Sequence, residues 1–121
     1  RRIGADIDSD YECIVLGGGY DHNWVINHPE KGLKLIAKAR DFESKRLMKV
    51  YSDLPGLQFY TGNFLNDAIP GKEGARYTRR SGYCFETQFF PNAINTPSFA
   101  QPVIKAGEEF RSFTIYKFDL D

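Results

Sequence analysis

Leu33-Lys34-Leu35-Ile36-Ala37-Lys38-Ala39-Arg40 sets Leu33, Leu35, Ala37 and Ala39 at one parity and Lys34, Lys38 and Arg40, with Ile36, at the other. Side chains along a strand point alternately to its two faces, so this period of two predicts a half-buried strand. Downstream, Ser44–Ser52 reads as its neighbour, joined through Asp41-Phe42. Asp53-Leu54-Pro55-Gly56 then reads as a turn, with Pro presetting φ and Gly supplying a positive φ. Leu57–Tyr60 and Tyr83–Phe89 are short apolar strands, and Glu109–Phe118 is a long β-prone segment. Upstream, His22–Asn27 is aromatic and β-branched and runs into the turn cluster Asn27-His28-Pro29-Glu30-Lys31-Gly32. No long stretch carries the 3.6-residue apolar period of an amphipathic helix. The pattern predicts an all-β fold, an antiparallel β-sandwich.

Two features do not suit a complete small domain. Gly62–Gly82 is about 21 residues without a convincing element, and long loops of that kind are usually functional or packed against something else. The last strand is apolar on both faces, as a strand deep in a larger sheet is. Both point to missing partners, and open sheet edges add the expectation of self-association.

Composition excludes several classes. The 121 residues hold 16 Lys+Arg against 16 Asp+Glu, a balance unlike the basic excess of nucleic-acid binders or of polybasic membrane-surface proteins. Hydrophobic residues make up 41% and aromatics 15%, enough for a packed core. No apolar run approaches the ~20 residues that span a bilayer. The chain opens Arg1-Arg2-Ile3-Gly4, without an initiator Met and without a visible signal peptide; a processed chain or a piece of a longer one is expected, with a cytoplasmic or an exported parent. Cys13 and Cys84 have neither CxxC spacing nor His at ligand intervals, so they read as buried free thiols, with a mutual disulfide as the alternative. His22 and His28 lack the i, i+4 spacing of a helical metal site.

Three stretches mix aromatic rings with a few polar groups: Gly17–Trp24, Pro55–Phe64 and Arg80–Asn95. Rings that stack on a sugar, with carboxylates and amides that hold its hydroxyls, are what a neutral carbohydrate site needs. Glu86 lies in a mostly apolar strand, where lost solvation would raise its pKa toward that of a general base; a solvated Glu on an edge strand is the alternative. Asp21 follows three glycines and reads either as a ligand-binding carboxylate or as a turn residue bonded to its own backbone. Gln58 alternates with Leu57 and Phe59, facing either a ligand or solvent. His22, next to Asp21 on a strand, faces the other side and reads as a packed or supporting histidine. The glycines at 17–19 match no phosphate-binding spacing and precede no helix. Arg76, Arg79 and Arg80 read as a solvated or ion-paired loop rather than an anion site. Ser81 has no His/Asp arrangement that would make it a nucleophile.

Gly19-Tyr20-Asp21-His22-Asn23, Pro55-Gly56-Leu57-Gln58-Phe59-Tyr60-Thr61-Gly62-Asn63 and Glu86-Thr87-Gln88 with Phe90-Pro91-Asn92-Ala93-Ile94-Asn95 together resemble, in order, the C-terminal part of the aldose 1-epimerase (galactose mutarotase) family. The resemblance runs from about Ile3 to Phe118. It implies a large antiparallel β-sandwich of which residues 1–121 form the C-terminal portion, and interconversion of the α and β anomers of free aldoses such as galactose or glucose without a cofactor. By that resemblance Glu86 matches the general base, Asp21 a carboxylate that binds sugar hydroxyls, and Gln58 an amide of the same pocket. The family's general acid, a histidine, and further binding residues lie N-terminal to anything in this chain; neither His22 nor His28 matches them. The implied partners are therefore a monosaccharide and the missing N-terminal portion. Because a positioned proton-transfer group contributes about 10²–10⁴-fold, the isolated chain is expected to be inactive. The alternatives are a non-catalytic sugar-binding or structural β-fragment, and a glycosidase pair of Asp21 and Glu86.

Overall fold

A computed structural model describes residues 1–27 and 32–120. His28 and the turn cluster expected around it lie outside the described residues, apart from Asn27 and Gly32. The chain is all-β in class, with two antiparallel sheets and almost no helix among the described residues. Its strands are β1 (Asp21–Val25), β2 (Lys34–Arg40), β3 (Arg46–Ser52), β4 (Gly56–Tyr60), β5 (Cys84–Gln88) and β6 (Thr114–Leu120). One sheet has the order β1-β4-β5 and the other β2-β3-β6. The chain divides into two compact units, Arg1–Trp24 with Gln58–Glu86, and Val25–Leu57 with Thr87–Asp121.

The second unit holds the β2-β3-β6 sheet. Here β3 is central and pairs antiparallel with both neighbours, Val50 facing Ala37 and Tyr116. Val50 and Ser52 have no exposed surface, and Leu57 and Ala93 are also buried. Ser52 tolerates that burial because its Oγ accepts the Leu54 N–H at 3.1 Å, which satisfies the hydroxyl and tightens the bend after β3. At the other end of the β2–β3 hairpin, Asp41 accepts N–H bonds from Glu43 at 3.2 Å and Ser44 at 3.1 Å, and the Ser44 hydroxyl as well. These bonds close the turn and hold the Asp41 carboxyl below its ordinary pKa, the Ser44 hydroxyl contributing most.

Several sequence expectations need correction. The even alternation from Leu33 to Arg40 breaks at Ile36, an extra residue between the Leu35–Tyr51 and Ala37–Val50 pairs. Such a bulge shifts the pleat by one, so Leu33 and Leu35 are exposed while Ala37 and Ala39 are half-buried. Gly56 supplies no turn; it is the first residue of β4 and is buried. The last strand starts at Thr114, five residues later than expected, and runs on to Leu120. Within this sheet it is an edge strand with all seven residues exposed. Asp119 has a use there: β3 Lys49 stands opposite Lys117, and Asp119 on the same face of β6 meets Lys49 at 3.8 Å, offsetting the like-charge pair. Cys13 and Cys84 are free thiols, but Cys13 is half-buried and Cys84 exposed, not buried.

The first unit contains a helix that no apolar period in the sequence marks, α1 (Glu12–Gly17). At six residues it is too short for an apolar stripe to register. It ends because Gly18 takes a left-handed φ of 64°, with the Gly18 N–H bonding the Val15 carbonyl at 3.2 Å and the Gly19 N–H reaching Ile14 at 3.0 Å. That pair of bonds is a Schellman closure, which suits Gly at the left-handed position. Ile7 and Ile14 supply the buried apolar side chains of this unit, while Thr61 and Asn63 are its buried polar ones. Gly62–Gly82 forms no strand, only turns and a short 3₁₀ segment at Lys72–Gly74.

Candidate functional site

Within the first unit, β1, β4 and β5 bring together Gly17–Trp24 and the parts of the other two stretches that it holds, residues 58–64 and 80–86. Tyr20 packs on Phe59 with ring centroids 5.1 Å apart, and Phe59 packs on Phe85 at 5.1 Å. Tyr83 joins Phe59 at 6.1 Å and Phe85 at 5.4 Å, and His22 meets Tyr20 edge-on at 6.4 Å. These rings mark one face of the sheet. Alternation along each strand then puts Asp21, Gln58 and Glu86 on the opposite face. The rings fix the strands relative to one another, and the polar set stands on the scaffold they form.

Asp21 and Gln58 meet directly. Gln58 Nε2 donates to Asp21 Oδ1 at 2.7 Å, between residues 37 apart in sequence. Asp21 is exposed and Gln58 half-buried. Asp21 is therefore not a turn residue bonded to its own backbone through its side chain; its carboxylate is aimed across to β4. Together the two offer carboxylate oxygens and an amide, groups that pair with the hydroxyls of a polyol. Glu86 shares their face on β5 but is exposed, so the loss of solvation expected from its apolar neighbours is absent: Phe85 and Tyr83 turn their rings to the other side. Cys84, two residues before Glu86, is on the same face as Glu86. Partial burial, and secondarily the Glu86 carboxylate, push its thiol pKa above the ordinary 9.0.

Other candidates resolve as well. His22 is half-buried, and its Nδ1 accepts the Asp21 backbone N–H at 3.0 Å, a supporting role. The three arginines bond within the protein. Arg80 grips Asp8 with Nη1 at 2.9 Å from Oδ2 and Nη2 at 2.6 Å from Oδ1, and hydrogen bonding to this guanidinium holds the Asp8 carboxyl below its ordinary range. Arg80 and Arg79 both donate to the Gly18 carbonyl, at 3.1 and 2.6 Å. Arg76 bonds the Asp67 carbonyl at 3.1 Å. Among the described residues, no group of three or more His, Cys, Asp or Glu is placed to hold a metal ion.

The residues that organise the approach to Asp21 carried no assigned role in the sequence. Asn63 is 5% exposed and Thr61 3%; both bond the segment Gly17–Tyr20 from the end of β4. Gly19 sits so near them that a Cβ there would lie 2.3 Å from Asn63 Oδ1. The signals in the sequence were the polar run Thr61-Gly62-Asn63 directly after an apolar strand and its place in a stretch that resembles the family, neither of which says what it holds.

Known proteins give this arrangement its context. The profile of the aldose 1-epimerase family matches residues 1–117. Over 102 residues the chain is 42% identical to the galactose mutarotase of Mus musculus and 41% identical to that of Homo sapiens, in each case covering 84% of this chain and 30% of the relative. It is 36% identical to the aldose 1-epimerase of Escherichia coli K12 over 102 residues, covering 83% of this chain and 29% of that one. The chain thus spans about three-tenths of the length of the relatives it matches. By the extent of the profile match and the identity to these relatives, the chain belongs to the aldose 1-epimerase family.

Proposed function

We propose that residues 1–121 are the C-terminal portion of an aldose 1-epimerase, and that Asp21, Gln58 and Glu86 are its share of the sugar site. The reading is supported above all by the 2.7 Å bond from Gln58 to Asp21 on the sheet face that also carries Glu86. Asp21 and Gln58 hold hydroxyls of a free aldohexose such as D-galactose or D-glucose. Glu86 is the general base. Its carboxylate takes the proton from the anomeric hydroxyl, a C1=O double bond forms, and the C1–O5 bond breaks with its electron pair going to the ring oxygen. A general acid from the rest of the protein protonates that oxygen. Rotation about C1–C2 presents the other face of the aldehyde, and the reverse transfers close the ring as the opposite anomer. Every proton taken is returned, so the cycle consumes nothing.

The test is polarimetry of freshly dissolved α-D-galactose with the full-length protein and its Glu86→Gln variant. Removing the base is expected to lower kcat by about 10²–10⁴-fold with the variant still folded. A variant as fast as the parent would remove Glu86 from the mechanism.

A further inference from the structure

We infer that Asn63 is a positioning residue for the sugar-binding pair, acting through the Tyr20–Asp21 peptide; the inference rests on the epimerase reading of Asp21 and Gln58. The peptide group is planar, so fixing its carbonyl and its N–H fixes the direction in which the next Cα departs. Both ends of this peptide are held. Asn63 Nδ2 donates to the Tyr20 carbonyl at 2.9 Å, and the Thr61 N–H donates to the same oxygen at 3.1 Å. On the other side, the Asp21 N–H bonds His22 Nδ1 at 3.0 Å. Asp21 leaves this clamped plane with its carboxylate already directed at Gln58 on β4.

The chemistry of the clamp calls for an asparagine. Its amide nitrogen has two protons, and both are used, one on Tyr20 and one on the Gly17 carbonyl at 2.9 Å. Its oxygen faces Thr61 Oγ1 at 2.7 Å; that hydroxyl also lies 3.2 Å from the Tyr20 carbonyl, and its single proton goes to the nearer acceptor. An aspartate of the same shape would turn a carboxylate toward two carbonyl oxygens. Asn63 is buried, so a lost bond leaves a polar group unpaired in the interior. Gly19 completes the fit by leaving the space that Asn63 Oδ1 occupies.

The experiment uses the full-length protein with Asn63→Asp, and Thr61→Val as a milder variant that removes only the hydroxyl. The readouts are the Gln58 side-chain amide resonance in ¹H–¹⁵N spectra, and KM and kcat for D-galactose. Asn63→Asp is expected to displace the Gln58 resonance and raise KM about tenfold, with kcat within about twofold, because the hydroxyl-holding pair moves and Glu86 does not. Thr61→Val is expected to move both in the same direction by less. If either folded variant keeps the parent's Gln58 resonance and KM while only its melting temperature falls, Asn63 is structural and the inference is wrong. If the parent itself fails to speed mutarotation, the epimerase reading falls, while the Gln58 resonance still reports on the clamp.

Discussion

Gln58 on β4 and Asp21 on β1 are joined by a 2.7 Å hydrogen bond between residues 37 positions apart. Neither side chain needs the other for burial, since Asp21 is exposed and Gln58 only half-buried. A charge-assisted bond between two such groups fixes their directions before any ligand arrives. A preorganised pair loses less freedom when a sugar binds, which favours affinity.

The Asp8–Arg80 pair lies in the same unit, with Arg80 also on the Gly18 carbonyl. Hydrogen bonding to Arg80 lowers the folded-state pKa of Asp8 below the ordinary 3.8. A depressed carboxylate contributes stability that is complete above the ordinary value and is lost as pH falls through the folded one. Asp8→Asn is therefore expected to melt below the parent at neutral pH, with the difference shrinking as pH drops beneath 3.8. Melting curves taken in steps through that window check it. A difference that stays constant into strong acid would deny the pair an electrostatic part.

Cys84 reports on Glu86 without any sugar. Its thiol pKa is raised by partial burial and by the Glu86 charge, so alkylation by iodoacetamide near neutral pH is expected to be slow for an exposed cysteine. Glu86→Gln removes the charge and is expected to speed alkylation about two- to fivefold, since the thiolate fraction sets the rate. Mass spectrometry of the Cys84 peptide over time measures it. An unchanged rate would mean that Glu86 turns away from Cys84, against the shared face.

The strands were readable where local chemistry alone determines them. β3 and β5 fall within a residue or two of the runs SKRLMKVYS and Tyr83–Phe89, because β-branched and aromatic residues bounded by turns suffice. What escaped depends on contacts distant in sequence. The Ile36 bulge is set by pairing with β3, and nothing in residues 33–40 announces it. Six-residue α1 is defined by its Gly18–Gly19 closure more than by any apolar period. Among the site residues, strand parity foretold the face of Gln58 relative to Phe59, but not that Asp21 would be its partner. The apolar surroundings of Glu86 suggested burial; alternation sends those rings to the far face and leaves Glu86 in solvent.

The most direct measurement is a double-mutant cycle on D-galactose binding by the full-length protein, using Asp21→Ala, Gln58→Ala and both together in isothermal titration. Each single change is expected to weaken binding about tenfold or more, and the double variant to lose less than the two combined, with a coupling of about 0.5–3 kcal/mol. That result would show one hydroxyl-holding unit at the sugar site. Unchanged affinity in both single variants, or losses that add in full, would contradict it.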